Sequence, residues 1–321
     1  MFATASNTKS LISKASLSST MLHNGPSIAW RVLLLMCMAL ILNTVVATAP
    51  LPTERVQKIQ KKFLGANWKC SLETTEEVDE LIDDLNRMWG SLSPSEQSAV
   101  ELCVNPPFVF VDRVRSRLTK DISVGSQNVF DARGPNRGNT GATTTKMLRA
   151  VGCDWVLLGH SDRRNSLGET DQLISDKVRM TLEAGMGVTL TIGELKTQRQ
   201  LGLALYTLRK QLGVAAKSIK ADEWHKIVVA YEPVWAVGEG ATPCSPEEAQ
   251  RINAALRAFI TERVSADAAA AVRLTYTGSV NDENAASYAS LADVDGFVVG
   301  RAGLDMTKLS SIIRTLAGSS D

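Results

Sequence analysis

Short apolar runs alternate with longer segments of helical spacing from about residue 61 to the end of the chain. Apolar, β-branched runs are typical of buried strands, whereas apolar residues repeated every three or four positions indicate amphipathic helices. The predicted strands are 63–68, 98–104, 122–127, 155–158, 187–192, 226–231, 273–276 and 294–299. The predicted helices are 75–89, 108–118, a short one around 147–151, 171–184, 196–212, 246–264, 281–290 and 305–317.

Eight strands alternating with helices over roughly 250 residues are typical of one α/β domain, the parallel (β/α)8 barrel. A doubly wound open sheet is the alternative, because the number of strands does not establish closure. The barrel domain is predicted to span residues 61–321, and no second domain or low-complexity tract follows residue 60.

Residues 1–53 differ from the rest of the chain, because they contain no Asp or Glu. Arg31 precedes an apolar run at 32–42, which is shorter than the about 20 residues of a membrane span. Ala47-Thr48-Ala49 resembles the cleavage site of a signal peptide. We predict a targeting segment that is removed, outside the fold. A secretory signal and a plastid or mitochondrial transit peptide remain open, as does a membrane anchor if the segment is uncleaved.

The composition excludes several classes of function. A net charge of +1 argues against nucleic acid as the main partner. The five cysteines show no CxxC spacing, so neither a zinc site nor a disulfide framework is indicated, and free, mostly buried thiols are expected. The three histidines are scattered along the sequence and suggest no metal site.

The segment 229–240 joins a buried strand to an apolar loop. The strand ends in Glu232, and Pro233 stops it because proline has no N–H group and a fixed φ. An apolar loop with glycines at Gly238 and Gly240 predicts a lid that closes over a ligand. A carboxylate at a strand end beneath a lid is placed to have a raised pKa and to transfer protons.

Polar side chains follow several of the predicted strands. In a (β/α) barrel the carboxyl ends of the strands form one rim, which holds the active site. Lys69 follows the first strand, His160 the fourth and Glu232 the sixth. An amine, an imidazole and a carboxylate are therefore predicted to meet. Glycine-bearing turns after strands six, seven and eight predict an anion site suited to phosphate.

From residue 63 to about 317 the chain resembles the triosephosphate isomerase family, whose fold is the TIM barrel. The resemblance depends on several segments and on the spacing between them: Asn67-Trp68-Lys69, Leu158-Gly159-His160-Ser161-Asp162-Arg163-Arg164, Gly168-Glu169-Thr170-Asp171 and Ala230-Tyr231-Glu232-Pro233-Val234-Trp235-Ala236-Val237-Gly238. Their joint match is far more specific than any one glycine-rich turn.

The resemblance implies an isomerase of glycolysis and gluconeogenesis that interconverts dihydroxyacetone phosphate and glyceraldehyde 3-phosphate through an enediolate. It implies Glu232 as the base and His160, as a neutral imidazole, as the electrophile, which is the family's known mechanism. Lys69 would supply positive charge and Asn67 a hydrogen bond. Backbone N–H groups would bind the phosphate, and no cofactor or metal is required. These phosphate-binding groups are at Gly238, Ser279, Gly300 and Arg301.

The segment 133–146 matches the family's loop that inserts into a second subunit near Asn67 and Lys69. Thr140 and Gly141 fall at its tip. A homodimer is therefore implied, with a flexible surface loop as the alternative.

Some positions depart from the family. Arg301 and Thr277 stand where glycines are usual, and Pro243 lies in a trailing lid hinge that is one residue longer. Arg301 is expected to be strained if a left-handed conformation is needed there. Glu239 is hypothesised to pair with Arg301 across the closed lid. These departures keep a second function open, a divergent paralogue with weak or altered activity that acts as a phosphate-ligand binding or interaction module.

Overall fold

The computed structural model describes residues 60–130, 139–238 and 241–318. These residues belong to one of two compact units in the chain, Arg55–Asp321. The predicted boundary between the targeting segment and the barrel, at residues 53–61, falls almost entirely outside the described residues and stays a prediction.

Eight parallel strands close into a barrel in sequence order, and the eighth pairs with the first. The closing register aligns Phe63 with Gly296. This confirms the (β/α)8 barrel and excludes the doubly wound open sheet. The strands are Lys62–Asn67 (β1), Val100–Asn105 (β2), Ser123–Ser126 (β3), Trp155–Leu158 (β4), Gly187–Ile192 (β5), Ile227–Tyr231 (β6), Arg273–Thr277 (β7) and Gly296–Val299 (β8).

Helices connect successive strands on the outside of the barrel. The α-helices are Thr75–Ser91 (α1), Pro94–Ala99 (α2), Val111–Arg117 (α3), Thr145–Ala150 (α4), Asp171–Glu183 (α5), Lys196–Gln200 (α6), Ala204–Ala216 (α7), Pro246–Arg263 (α8), Ala266–Ala271 (α9), Ala285–Ala289 (α10) and Met306–Ala317 (α11). Shorter helical turns are Phe108–Phe110, Asp162–Ser166, Ala221–Lys226, Val234–Ala236 and Arg301–Leu304.

The structure corrects two of the helix predictions and one of the strand predictions. The predicted helix 196–212 is two helices, because Gly202 adopts a φ of +72° between them. Residues 98–99 end helix α2 instead of beginning a strand, and Ser93 with Glu96 forms a capping box at its start. The helix predicted at 281–290 is shortened to α10, because Asn281 and Asn284 exchange side-chain to backbone hydrogen bonds in a turn.

Side chains fill the inside of the barrel, separately from the larger core between the sheet and the helices. Near the amino ends of the strands, the buried Arg273 guanidinium lies 5.0 Å from the Phe63 ring centroid and 5.2 Å from that of Trp155. Its charge is paired with Glu101 at 2.5 Å. The interior cluster comprises Phe63, Cys103, Trp155, Leu157, Val228, Ala230 and Val298. The barrel is thus a packed core, typical of a fold whose chemistry takes place at the opposite rim.

The described cysteines are free, as predicted. Cys103, Cys153 and Cys244 are buried and Cys70 is exposed, whereas Cys37 lies outside the described residues. Within the described ranges, no helix has the length and apolar character needed to cross a bilayer.

Candidate active site

A cavity of about 670 Å³ opens at the carboxyl ends of the strands. It is lined by all eight residues that the sequence singled out for catalysis or phosphate binding: Asn67, Lys69, His160, Glu232, Gly238, Ser279, Gly300 and Arg301. The ends of β1, β4 and β6 therefore meet as predicted, with the turns that follow β7 and β8 on the same wall.

Glu232 follows β6 and is buried, with 2% of its surface exposed. Its carboxylate accepts hydrogen bonds from the Ser161 N–H at 2.8 Å and the Ser161 hydroxyl at 2.9 Å. Its Oε1 also lies 3.1 Å from Nε2 of His160. A side chain at Gly193 would place a Cβ 1.9 Å from the Glu232 carbonyl oxygen, so glycine at the end of β5 allows this close approach.

His160 follows β4 after Gly159, which adopts a φ of +76° and packs tightly on the Thr191 carbonyl. The Asp162 N–H donates to Nδ1 of His160 at 3.1 Å. The Asp162 carboxylate lies farther from that nitrogen, at 3.4 Å. A donor facing Nδ1 leaves the proton on Nε2, which points at Glu232. The contacts thus orient the ring so that Nε2 faces the cavity.

Lys69 is the one non-glycine residue with a positive φ, +50°, within the described ranges. Side chains hold this strained backbone on both sides. The Lys69 N–H donates to the Asn67 side chain at 3.0 Å, and its carbonyl accepts from Gln127 at 2.6 Å. Strain of this kind is concentrated at functional sites and requires support from the surrounding structure. Asn67 therefore positions Lys69, in addition to lining the cavity.

The Lys69 ammonium forms an ion pair with Asp162 at 3.0 Å. Partial burial opposes ionisation of Asp162, whereas the hydrogen bond and the positive charge of Lys69 favour it, and the net effect is a lowered pKa of the carboxyl. Both side chains are substantially exposed, so the pair contributes little stability. Its effect is to hold a positive charge at the mouth of the cavity.

Residues of the motif at 168–171 bind the two arginines that follow His160. The buried Glu169 carboxylate accepts from Arg163 at 2.9 Å, Lys177 at 2.8 Å and Asn128 at 2.8 Å. Glu169 is therefore neutralised by two cations, with Nη2 of Arg163 at 2.7 Å and Nζ of Lys177 at 2.8 Å. Arg164 donates to the Gly159 carbonyl at 2.6 Å and fixes the turn before His160.

The lid begins with the helical turn Val234–Ala236 and is tied to a buried carboxylate. The Trp235 indole donates to Glu194 at 2.7 Å, and the Tyr231 hydroxyl donates to the same oxygen at 3.2 Å. Oε2 of Glu194 has no hydrogen-bond partner among the described residues, and burial raises the pKa of this carboxyl. The sequence analysis did not single out Glu194, although an acidic residue two positions after a buried strand was a signal for it.

The cavity wall that is predicted to bind phosphate has the expected residues but not the expected backbone strain. Gly238 adopts a φ of +117°, whereas neither Arg301 nor Thr277 has a positive φ. The expectation of a strained Arg301 is therefore wrong, because Gly300 with φ −97° turns the chain and Arg301 opens a 3-10 turn. Lys308 also lines the cavity and was not predicted. The hypothesised pairing of Arg301 with Glu239 lies outside the described residues.

Comparison with known proteins identifies relatives over the whole barrel. A family model described as triosephosphate isomerase matches residues 62–316. The chloroplastic triosephosphate isomerase of Secale cereale is 40% identical over 256 residues, covering 80% of this chain and 82% of that protein. The triosephosphate isomerase of Emericella nidulans is 38% identical over 245 residues, covering 76% and 94%. A cytosolic triosephosphate isomerase of Oryza sativa subsp. japonica is 39% identical over 245 residues, covering 76% and 93%.

Replacement of Glu194 should change how stability depends on pH. Because its pKa is raised on folding, ionised Glu194 lowers the free energy of unfolding once the pH exceeds the ordinary carboxyl pKa of 4.5. Below that pH the side chain is protonated in both states and the cost disappears. We expect Glu194→Gln to gain stability relative to the parent at pH 7 and to lose that gain towards pH 4, measured by urea unfolding. The exposed Glu262→Gln is the control, and a pH-independent difference for Glu194→Gln would contradict this assignment.

Proposed function

The chain belongs to the triosephosphate isomerase family, and we propose that Glu232 and His160 carry out its reaction at the cavity described above. It is an isomerase that interconverts dihydroxyacetone phosphate and glyceraldehyde 3-phosphate, a step of glycolysis and gluconeogenesis. The observation that carries the assignment of roles is the 3.1 Å approach of the His160 imidazole to the Glu232 carboxylate at one cavity wall.

The reaction moves a proton between neighbouring carbons, and Glu232 is its carrier. In this structure the carboxylate accepts two hydrogen bonds from Ser161, which hold it in place. Productive binding of substrate requires Glu232 to exchange the Ser161 donors for the carbon-bound proton.

His160 stabilises the negative charge that develops on the substrate oxygens. Its Nε2–H, fixed by the Asp162 N–H on the other side of the ring, donates to the carbonyl oxygen as the enediolate forms. Lys69 adds positive charge at the same end of the cavity, and the Asn67 side chain holds the Lys69 backbone. The donors are oriented before the substrate arrives, so the transition state requires little reorganisation.

The phosphate is held at the opposite wall by backbone N–H groups of Gly238, Ser279, Gly300 and Arg301, all of which line the cavity. The Arg301 side chain adds a positive charge close to these groups. The lid after Glu232 closes over the bound substrate and excludes water, which protects the enediolate from loss of phosphate.

A divergent paralogue that only binds ligands is not favoured. Such a protein has no need for the strained Lys69 backbone or for an imidazole aimed at a buried carboxylate, and both cost stability. The relatives that cover most of the barrel carry the name of the enzyme.

A homodimer is proposed through the loops that follow β2 and β3. Large apolar side chains are exposed there, with Val109 81%, Met147 56%, Phe108 40% and Phe130 37% exposed. Thr140 and Gly141 lie in the described part of the loop after β3 and are also exposed. Residues 131–138, which include the first part of the predicted insertion 133–146, lie outside the described residues.

Residues 1–53 are proposed to be a transit peptide for the plastid. Their acid-free composition and the chloroplastic relatives support this proposal. Uptake and cleavage of the full chain by isolated chloroplasts tests it, and uptake by mitochondria or microsomes instead would overturn it.

Replacing the base should abolish turnover with little effect on binding. We expect Glu232→Gln to lower kcat by about a thousandfold, because the amide cannot accept the proton, while KM changes little. The assay couples glyceraldehyde 3-phosphate consumption to a dehydrogenase, and the exposed Glu262→Gln is the control. Equal rates for the parent and Glu232→Gln would exclude the proposed mechanism, and an inactive parent would exclude the isomerase function.

A charge in the proposed subunit contact should separate the subunits. We expect the parent to sediment as a dimer and Val109→Asp to raise the dimer Kd by about tenfold or more, because an unpaired carboxylate would be buried there. Leu201→Asp, at a 72% exposed site elsewhere, is the matched control. A monomeric parent, or equal behaviour of the two variants, would contradict the proposal.

A further inference from the structure

We propose that Tyr288, a residue outside the substrate cavity, is a positioning residue that fixes the trailing end of the lid and so controls how well the closed lid protects the enediolate. This inference rests on the proposed function. It concerns a side chain on helix α10, which none of the roles above uses.

Tyr288 is 2% exposed, and its hydroxyl donates to the carbonyl oxygen of Cys244. The N–H of the same residue, Cys244, donates to the hydroxyl of Tyr276 at 3.2 Å. The two tyrosine rings stack with centroids 4.6 Å apart. Both backbone polar groups of one buried residue are thus held by a stacked pair of phenols, so the main chain is fixed at Cys244.

Cys244 lies at the junction between the lid and helix α8, so a contact that fixes it also fixes the trailing end of the lid. Cys244 follows Gly238 and the exposed Pro243 and precedes Ser245, whose side chain caps helix α8. Pro243 has no N–H group to donate, so the hinge cannot be secured by a backbone hydrogen bond from that residue. Fixing Cys244 therefore limits the motion of the lid to the residues before it, and hinges are typically a few such positions.

The leading end of the lid is bonded to the same part of the chain. Ser279 donates through its hydroxyl to the Ala236 carbonyl at 3.1 Å, and Asn284 donates to the Ser279 carbonyl at 2.8 Å. Residues 276–288 thus hold both ends of the lid, at Ala236 and Cys244. Because Ser279 also lines the phosphate wall, phosphate binding and the geometry of the lid are mechanically linked through this segment.

A lid that closes poorly can be detected by the release of inorganic phosphate, in addition to a change in turnover. When the enediolate is not shielded, its C–O bond to phosphate breaks and the electron pair leaves with the phosphate. One triose phosphate then gives one methylglyoxal and one inorganic phosphate, with no oxidant or reductant. The ratio of phosphate released to substrate isomerised therefore reports on protection by the closed lid and is insensitive to the amount of folded enzyme.

The test is Tyr288→Phe, which keeps the stacked ring and removes the donor to Cys244. We expect the elimination ratio to rise about fivefold or more and kcat/KM to fall about fivefold, the scale of one buried hydrogen bond. Tyr206→Phe, at a 69% exposed tyrosine, is the matched control and should leave both quantities unchanged. Asn284→Ala loosens the same segment at Ser279 and should act in the same direction, so it decides the question if Tyr288→Phe fails to fold.

The outcomes separate this inference from the proposed function. An active parent whose elimination ratio is the same as that of Tyr288→Phe, or of Asn284→Ala where the first variant does not fold, overturns the role of Tyr288 alone. A fall in kcat/KM with an unchanged elimination ratio also overturns it, because it indicates a merely structural contribution. A parent without isomerase activity overturns the proposed function.

Discussion

The structure depends on the close lateral packing of β4, β5 and β6 at their carboxyl ends. Gly193 lets the end of β5 lie against the Glu232 carbonyl, and Gly159 lets the chain turn over the Thr191 carbonyl before His160. A side chain at either glycine would separate these strand ends. Parallel pairing in register then sets the imidazole 3.1 Å from the carboxylate. The two groups that are proposed to act on the substrate proton are thus placed by backbone geometry.

This arrangement has an energetic cost that neighbouring groups limit. Glu232 is buried but held by Ser161, whereas Glu194 is buried and its Oε2 has no hydrogen-bond partner in the described part of the chain. Lys69 is strained at φ +50°. Such features lower stability and persist only when the surrounding structure holds them. Ser161 holds the carboxylate of the proposed base, and Glu194 holds the Trp235 indole at the start of the proposed lid.

The sequence was sufficient to predict the fold and the convergence of the candidate site residues, because both follow from local pattern. Eight apolar runs predicted the strands, and their shared carboxyl rim brought Lys69, His160 and Glu232 together without knowledge of any contact. The left-handed Lys69 was not predictable, since lysine disfavours that conformation and only Asn67 and Gln127 hold it there. The contact between Tyr288 and Cys244 was equally hidden, because it joins residues 44 apart through the packing of α10 on the hinge.

In the proposed mechanism the Glu232 carboxylate gives up its two hydrogen bonds from Ser161 when substrate binds. The His160 ring stays in place, because the Asp162 N–H still donates to its Nδ1. A crystal structure with dihydroxyacetone phosphate or an unreactive analogue tests this most directly. The expected result is a carboxylate beside the two reacting carbons, Nε2 of His160 on the carbonyl oxygen, and the phosphate on the N–H groups of Gly238, Ser279, Gly300 and Arg301. A ligand bound elsewhere, or a Glu232 that still accepts both Ser161 hydrogen bonds beneath a closed lid, would contradict it.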